Sequence, residues 1–354
     1  MLTETDPDQT QSRVLVLGAT GFVGRNVIRE LGQDSTVEVI AACRDPARLP
    51  LGFSGQVRPG DLLDPAYLAN VFEGIDVACF SAAWSALHGH KRESRELFLA
   101  PMLAALDAAI RAGVRRVIFT SSVDLQNLSQ TSLPAIEENL ESVWPHLANV
   151  RAIETAMHQR ASRDCEMVAL RFGLFVGEGV GIGFIPALLS RLRARIVPYI
   201  NTGRAPLRLI DGADIGRAFS QSVRAEGLSS MQTFDIIGPA SPTFRELTAF
   251  LHAEFGYPQP WFSVSSKLAY RFAHLAELVA RVTPWEPLLT RSLVFLLEDF
   301  SPSDNATKIG FTPQVHWTES VRRQVIQIQT NGHAGRLSSP TRALLPAQLI
   351  RGNS

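Results

Sequence analysis

The stretch Val14-Leu-Val-Leu-Gly-Ala-Thr-Gly-Phe-Val-Gly-Arg25 decides how this chain folds. Its first four residues are all apolar, which predicts a parallel strand buried on both faces of a sheet. Three glycines follow, and residues 25–31 then have the apolar spacing of a helix. Such a turn directs free backbone N–H groups and the positive end of a helix dipole toward one point. The stretch therefore predicts a site for the pyrophosphate of a dinucleotide, with an ordinary glycine-rich turn as the alternative.

The composition is that of a globular protein with a large core. The chain has 354 residues, of which 45% are hydrophobic, and its formal net charge is zero. This length allows a sizeable core, and the balanced charge gives no electrostatic argument for binding nucleic acid. Residues 1–13 lack the basic start and apolar run of a secretory signal. Because no run of apolar residues is long enough to predict a transmembrane helix, we expect a cytoplasmic protein.

Cysteines and histidines offer no metal site at the level of sequence. The cysteines Cys43, Cys79 and Cys165 are far apart, which indicates neither a disulfide framework nor a metal cluster and suits a reducing compartment. His88 and His90 lie close together, but no third ligand stands at a suitable spacing. We therefore expect no bound metal.

Strand and helix patterns alternate along the first half of the chain for six strands. This alternation predicts an α/β fold, a Rossmann-type doubly wound parallel sheet, over residues 13–175. Strands within about residues 205–237 are expected to complete the sheet. Residues 176–330 are expected to form mostly a small C-terminal α/β substrate-binding region. The ends, residues 1–12 and 331–354, are predicted to be a disordered N-terminus and a flexible tail.

The end of the second predicted strand, residues 37–43, bears on the choice of cofactor. An acidic residue there would bind the 2′-hydroxyl of NAD(H), whereas an arginine accommodates the 2′-phosphate of NADP(H). Arg44 stands at this point, and Arg25 opens the first helix nearby. The sequence therefore favours NADP(H), with a solvated Arg44 as the alternative. Asp61, after the third strand, is either a turn residue or an acceptor for the adenine amino group.

Residues 263–300 are amphipathic and rich in Leu, Ala, Phe and Trp. Their apolar face could pack a subdomain, line a pocket for a hydrophobic substrate, or contact a membrane surface. Packing is the simplest of these interpretations. The pattern alone does not exclude the other two.

A series of motifs, in order along residues 13–323, resembles the extended short-chain dehydrogenase/reductase family, the NAD-dependent epimerase/dehydratase group. The resemblance implies a seven-stranded parallel sheet, NAD(P), a small C-terminal substrate domain, and a homodimer formed through the helices of about residues 96–112 and 147–163. Residues 289–323 most resemble the 3β-hydroxysteroid dehydrogenase-related branch. The motifs are Gly18-Ala-Thr-Gly-Phe-Val-Gly24, Gly60-Asp61-Leu62, Ser81-Ala82-Ala83, Ala112-Gly-Val-Arg-Arg116, Thr120-Ser-Ser122, Leu170-Arg-Phe-Gly-Leu-Phe-Val-Gly177, residues 211–218 and residues 304–313.

The glycine turn and the resemblance together predict the set of cofactor-binding residues. It comprises the turn, the ends of the following strands, and one position on a later helix. The predicted residues are Gly18, Thr20, Gly21, Phe22, Val23, Gly24, Arg25, Arg44, Asp61, Leu62, Ser81, Ala82, Ala83, Arg151 and Phe172.

The resemblance also implies a catalytic serine followed by a Tyr-x-x-x-Lys pair, and here the chain departs from the family. Ser122 matches the serine, but the alignment places Leu147 at the tyrosine and Arg151 at the lysine. Arg151 could hold the nicotinamide ribose but is effectively always protonated, so it cannot relay a proton. His146 is the nearest titratable substitute, and the alternative is a simple loop histidine. The predicted catalytic residues are therefore Ser122, His146 and Arg151, with Asp124, Glu137 and Glu138 within loop reach.

A second departure concerns the helix before the fifth strand. The family usually has an asparagine in the first half of that helix, and Phe98 falls at about this place.

Three functions remain open from the sequence. The first is an NAD(P)-dependent oxidoreductase or epimerase that acts on a hydrophobic small molecule with an altered proton donor, since the cofactor itself carries out hydride transfer. The second is a non-redox cyclase, isomerase or dehydratase on the same fold. The third is an NADP(H)-binding sensor or assembly subunit without catalysis.

Overall fold

The computed structural model describes residues 11–133, 136–181, 183–280 and 287–331. The predictions of a disordered N-terminus and a flexible tail therefore fall almost entirely outside the described residues.

Most strands lie where the apolar runs predict them, and the helices alternate with them. The strands are β1 (Ser12–Leu17), β2 (Val37–Cys43), β3 (Gln56–Pro59), β4 (Val77–Phe80), β5 (Arg116–Ser122), β6 (Glu166–Phe172), β7 (Leu174–Val176), β8 (Tyr199–Ile200), β9 (Leu209–Asp211), β10 (Met231–Ile236) and β11 (Ser263–Val264). The α-helices are α1 (Phe22–Leu31), α2 (Pro65–Asn70), α3 (Lys91–Ser94), α4 (Ala100–Arg111), α5 (Asp124–Asn127), α6 (Leu140–Val143), α7 (Pro145–Arg160), α8 (Phe184–Arg193), α9 (Gly212–Arg224), α10 (Phe244–Phe255), α11 (Ser266–Ala280), α12 (Arg291–Leu296) and α13 (Trp317–Asn331). Short 3₁₀ turns span Pro46–Arg48, Asn201–Gly203 and Ala306–Ile309, and a π-helical turn, Arg95–Leu99, joins α3 to α4.

Seven parallel strands form the central sheet, in the order β10-β6-β5-β4-β1-β2-β3. This is the predicted doubly wound Rossmann-type sheet. The order of strands reverses beside β1, so the chain crosses the sheet in opposite directions before and after this point. Ligands of such sheets bind beyond the carboxyl ends of the strands at this switch. The sheet therefore positions a site at the ends of β1, β4 and β5.

One strand within the predicted range of about residues 205–237 does not join the main sheet. It is β9, which pairs in parallel with β7 in a separate two-stranded sheet. The seventh strand of the main sheet is β10, which pairs with β6. β9 cannot join the main sheet because β10 occupies the free edge of β6.

Three apolar clusters organise the core. One packs α1 and α9 against one face of the sheet, and a second packs α4 and α7 against the other. The third contains side chains from α8, α10, α11, α12 and α13, together with residues of the segment 128–147. This third cluster is the packing predicted for the amphipathic stretch. That stretch also contributes large exposed apolar side chains, which are described below.

Candidate functional site

The turn between β1 and α1 is shaped for close approach of a ligand. Gly18 has φ +79°, and a Cβ atom there would lie 2.6 Å from the backbone of Ala82. α1 begins at Phe22 without a side-chain cap and without an acidic residue in its first turn. Its first N–H groups therefore remain available for an anion, and the helix dipole favours negative charge at this end. The turn fits the pyrophosphate of a dinucleotide.

A cleft of about 360 Å³ extends from this turn across the ends of β1, β2 and β4. We call it the nucleotide cleft. Most of the predicted cofactor residues line it, so the structure brings them together as the sequence predicts. These residues are Gly18, Thr20, Gly21, Phe22, Val23, Arg44, Asp61, Leu62, Ser81, Ala82 and Ala83.

Four predicted cofactor residues do not line the nucleotide cleft. Gly24 is buried in α1, where a Cβ atom would lie 2.3 Å from the carbonyl oxygen of Gly18, so this glycine lets the helix pack on the turn. Arg25 lies beside the cleft rather than in its wall. Phe172 lies deeper in the structure, against the cavity described below. Arg151 is exposed on α7 and is not among the described residues that line either space, so its roles in cofactor binding and catalysis stay predictions.

Arginines gather at the end of the cleft nearest β2. Arg48 lines the cleft together with Arg44, and sequence reasoning missed it because it lies in the short turn after the strand. The pKa of the Arg25 guanidinium is lowered, first by partial burial and then by the positive charges of Arg48 and Arg29. Asp45, the acidic residue nearest in sequence, instead caps the turn by accepting from the N–H of Ala47 at 3.1 Å. This end of the cleft is therefore positively charged.

Asp61 is a turn residue, and its role as an acceptor for the adenine amino group stays a prediction. Its carboxylate accepts from the N–H of Leu63 at 3.0 Å, as a turn residue does, and the residue also lines the cleft. Tyr67 is a further lining residue that the sequence did not predict. Its hydroxyl donates to the carbonyl oxygen of Arg58 at 2.7 Å, which orients the ring in the wall.

A second space of about 270 Å³, the inner cavity, adjoins the nucleotide cleft at the ends of β5 and β6. The two spaces share the walls formed by Val23, Ala82, Phe98 and Phe175. The inner cavity is therefore where a substrate would meet a dinucleotide bound in the cleft. Its remaining wall includes Thr120, Ser121, Ser122, Asp124, Trp144, His146, Leu147, Val150 and Phe172.

The two serines at the end of β5 have different partners. Ser121 Oγ donates to Glu154 on α7 at 2.5 Å, and Glu154 forms a salt bridge with Arg171 at 2.6 Å. Ser122 Oγ instead donates to the Asp124 carboxylate at 2.7 Å. Ser121 is thus part of a buried structural network, and Ser122 is the serine placed for chemistry.

Asp124 is a candidate catalytic residue that the predicted set did not include. It is 6% exposed, and burial raises its pKa to about 6, although Ser122 and the charge of Arg208 act in the opposite direction. A carboxyl group with this pKa exchanges a proton near neutral pH, as general acid–base catalysis requires. Its proximity to Ser122 was visible in the sequence. Its burial was not visible in the sequence, because groups that act on it in the fold, such as Arg208, lie far along the chain.

His146 lines the inner cavity as an uncharged group. Its ring packs against Phe98, with the ring centroids 4.8 Å apart, and the imidazole has a hydrogen bond to the backbone of Trp84. Burial lowers the pKa of His146 to about 4. Its Nδ1 has no partner among the described residues, and the Thr120 hydroxyl is likewise unpaired. Both atoms are buried in the cavity wall without a hydrogen-bond partner among the described residues.

The geometry of α7 bears on which of its residues correspond to the Tyr-x-x-x-Lys positions inferred from the resemblance. The family's tyrosine and lysine are four residues apart on one helix face, and His146 and Val150 are the pair four apart that line the cavity. Leu147 also lines it, but Arg151 points to solvent. The two residues four positions apart that line the cavity are therefore His146 and Val150, of which Val150 has no charge.

A third space of about 440 Å³, the apolar cavity, lies among α8, α11 and α12, and it shares the wall residue Phe184 with the inner cavity. Among the described residues that line it, Arg191 is the only charged one, and its guanidinium donates to the carbonyl oxygens of Ala187, Pro287 and Leu288. The wall is otherwise apolar and includes Leu188, Ile196, Ile200, Phe244, Phe262, Leu268, Phe272 and Leu293.

The described residues offer neither a metal site nor a membrane-spanning helix. No group of three or more His, Cys, Asp or Glu side chains there could hold a metal ion. None of the helices in the described ranges is both long enough and apolar enough to cross a membrane.

The sheet and cleft define a dinucleotide-binding protein of the Rossmann class. A family model described as NAD(P)H-binding matches residues 18–179. A 3 beta-hydroxysteroid dehydrogenase/Delta 5→4-isomerase of Mycobacterium tuberculosis is 34% identical over 117 residues, which is 31% of this chain and 31% of that enzyme. A 3beta-hydroxysteroid-dehydrogenase/decarboxylase of Arabidopsis thaliana is 23% identical over 361 aligned positions, which is 90% of this chain and 80% of the relative.

Solved structures share the fold over most of the chain. The protein gox2253 matches with a TM-score of 0.71 and 20% identity, covering 91% of this chain and 99% of that one. MoeE5 in complex with UDP-glucuronic acid and NAD matches with a TM-score of 0.65 and 20% identity, covering 90% and 100%. The chain is therefore similar to NAD(P)H-binding proteins over residues 18–179, and it shares its fold with these solved structures.

Proposed function

We propose that this protein is an NADP(H)-dependent oxidoreductase that interconverts a carbonyl and a secondary alcohol on a largely apolar small molecule. The observation that carries the proposal is the position of the Ser122–Asp124 pair. It lies in the inner cavity, which adjoins the nucleotide cleft on one side and the apolar cavity on the other.

The bound cofactor would supply or accept a hydride, and the chain would handle the proton and the substrate oxygen. In this proposal Ser122 donates a hydrogen bond to the substrate oxygen, and protonated Asp124 gives its proton to that oxygen during reduction. In the oxidising direction the Asp124 carboxylate takes the proton back. His146 is uncharged near neutrality, so its role is to hydrogen-bond the substrate rather than to carry charge.

The apolar cavity supports a hydrophobic substrate. Its wall offers apolar contact and almost no exposed polar groups, which suits a hydrocarbon skeleton better than the diphosphate of a nucleotide sugar. The curated relatives named above carry names that refer to hydroxysteroids. We propose that the skeleton lies in the apolar cavity and that its oxygen reaches Ser122 past Phe184.

The arginines at the β2 end of the cleft support a preference for NADP(H). A 2′-phosphate carries about two negative charges, which Arg44 and Arg48 are placed to neutralise. Asp45 is held in its own turn and is not among the residues that line the cleft.

The proposal is tested by titrating the purified chain with NADPH and NADH and then assaying a panel of apolar ketones and alcohols at the nicotinamide absorbance. We expect tighter binding of NADPH and turnover of at least one apolar substrate. Substrate conversion without any change in the cofactor would instead favour a non-redox isomerase or dehydratase. Tight binding without turnover of any substrate would favour a sensor or assembly subunit.

A further inference from the structure

Large apolar side chains are exposed around the mouth of the apolar cavity. Scattered exposed apolar residues are ordinary, whereas a contiguous patch marks a surface of interaction. Most of the large hydrophobic side chains that the described residues expose belong to this one area. We call it the apolar rim, and it consists of Trp261, Phe262, Leu268, Phe272, Leu275, Leu278 and Val279.

Helix α11 forms the main part of the apolar rim. Leu268, Phe272, Leu275 and Val279 follow one another at spacings of four, three and four residues, so they form one stripe along the helix. Leu268 and Leu275 are each 59% exposed. The opposite side of α11, which includes Ala269, Tyr270, Ala273 and Glu277, is buried against the protein. The helix therefore lies on the molecule with its most apolar stripe turned to the outside.

The charges of α11 are all of one sign where the helix meets solvent. Lys267 and Arg271 are exposed along one side of the apolar stripe. The single carboxylate of the helix, Glu277, is buried and pairs with Arg291 at 2.8 Å. An apolar stripe edged by cations is typical of helices that lie in a bilayer interface, where the long basic side chains reach the headgroups.

Two aromatic residues extend the stripe before α11 begins. Trp261 is 79% exposed and its ring lies 4.7 Å from that of Phe262, between centroids. Phe262 also lines the apolar cavity, as do Leu268 and Phe272. Tryptophan prefers the boundary between headgroups and acyl chains. The cavity therefore opens among the residues best suited to that boundary.

We propose that the apolar rim docks the protein on the surface of a lipid bilayer that carries anionic headgroups. The cations beside the stripe complement those headgroups, and each is worth about five-fold in membrane partitioning. A second copy of the chain fits less well, since α11 exposes Lys267 and Arg271 but no carboxylate that could pair with them across a two-fold interface. If the proposed function is also correct, an apolar substrate could enter the cavity from the bilayer without crossing water.

Flotation of the full chain with phosphatidylcholine vesicles, with and without phosphatidylglycerol, tests this proposal. We expect the wild type to float with the anionic vesicles, and less so at high salt, because salt screens the attraction. Leu275→Glu should abolish flotation, and Lys267→Ala should lower the partition coefficient about five-fold. Ile326→Glu is the matched control, because Ile326 is 50% exposed on α13 and lies outside the apolar rim.

Cofactor affinity, measured on every variant, confirms that the nucleotide cleft is intact, and the test needs no substrate. The proposal is overturned if the wild type does not float with anionic vesicles at low salt, or if Ile326→Glu loses flotation as completely as Leu275→Glu. A dimer that Leu275→Glu dissociates, seen by light scattering in a protein that binds no vesicles, would assign the rim to a second copy instead. Failure to find a turnover substrate would count against the proposed function alone.

Discussion

The nucleotide cleft and the inner cavity lie side by side, yet they keep different parts of the family pattern. The cleft is built mainly from backbone: a glycine turn, free N–H groups and small residues at the strand ends. The inner cavity depends on side chains, and its described lining residues include His146 and Val150, four positions apart, but neither a tyrosine nor a lysine. The nucleotide-binding part and the proton-transfer part of such a site can therefore change separately. Binding depends on chain geometry, whereas proton transfer depends on a few exchangeable groups.

The largest effect is expected from Asp124→Asn, which removes the proposed proton donor while preserving shape. Turnover should fall about 10²–10⁴-fold, because acid–base help of this kind is worth that much. NADPH affinity should not change, since Asp124 does not line the nucleotide cleft. Asp235→Asn is the matched control, because Asp235 is another buried aspartate with a raised pKa and lines neither space. Equal losses in the two variants would contradict the catalytic role of Asp124.

The same residue predicts the pH dependence of the reaction. Reduction needs protonated Asp124, so kcat/KM for reduction should fall as the pH rises through about 6. Oxidation needs the carboxylate, so its kcat/KM should rise over the same range. Asp124→Asn should flatten both profiles. An inflection near pH 4 in place of pH 6 would assign the proton to His146, whose pKa burial lowers to about 4.

The next largest effect tests the backbone character of the cleft. Gly18→Ala places a Cβ atom 2.6 Å from the backbone of Ala82, and we expect NADPH affinity to fall about 10–100-fold through overpacking. Gly52→Ala is the control, since Gly52 has a similar φ of +82° but no neighbour within 4 Å. Both variants carry the strain of an alanine in the left-handed conformation. The difference between their NADPH affinities therefore measures the effect of the close approach to Ala82. Isothermal titration measures it, and equal affinities would show that the contact at Ala82 does not shape the cleft.

The parts of the site that the sequence predicted are those that depend on neighbours in the chain. The glycine turn, the strand ends and Ser122 follow from local pattern and from the order of motifs. The face that α7 turns toward the inner cavity does not follow from local pattern. Each residue turns the helix by 100°, so a change of one position in the register places Val150 rather than Arg151 on that face. Long-range bonds fix that rotation: the Trp144 indole donates to the carbonyl oxygen of Ala86, and Glu154 pairs with Arg171.

The apolar cavity escaped prediction for the same physical reason. Its walls come from α8, α11 and α12, which are separated by many residues, and the sequence offered only an amphipathic stretch. Periodicity predicts that a helix has an apolar face but not what that face meets. Part of the stretch packs in the core, as expected, and part of it lines a cavity or faces solvent.

A smaller effect distinguishes the two registers of α7. In the Asp124→Asn background, His146→Tyr with Val150→Lys places the family's pair on the cavity wall, and turnover should recover about ten-fold. Leu147→Tyr with Arg151→Lys installs the pair in the register taken from the alignment. It should recover nothing, because position 151 is exposed. Single-turnover absorbance of the nicotinamide compares the two, and recovery only in the second variant would restore the aligned register.

The smallest effect concerns the preference for NADP(H) over NAD(H), which depends on exposed side chains of the cleft. Arg44 and Arg48 line its β2 end but are exposed, so each contact with a 2′-phosphate is screened by solvent. Arg48→Ala should therefore weaken NADPH by about five-fold, a loss of about 1 kcal/mol, and leave NADH unchanged. Arg29→Ala is the control, because Arg29 is an exposed cation on α1 that does not line the cleft. If Arg48→Ala weakens both cofactors equally, the arginine binds the shared pyrophosphate, and the preference for NADP(H) loses its structural basis.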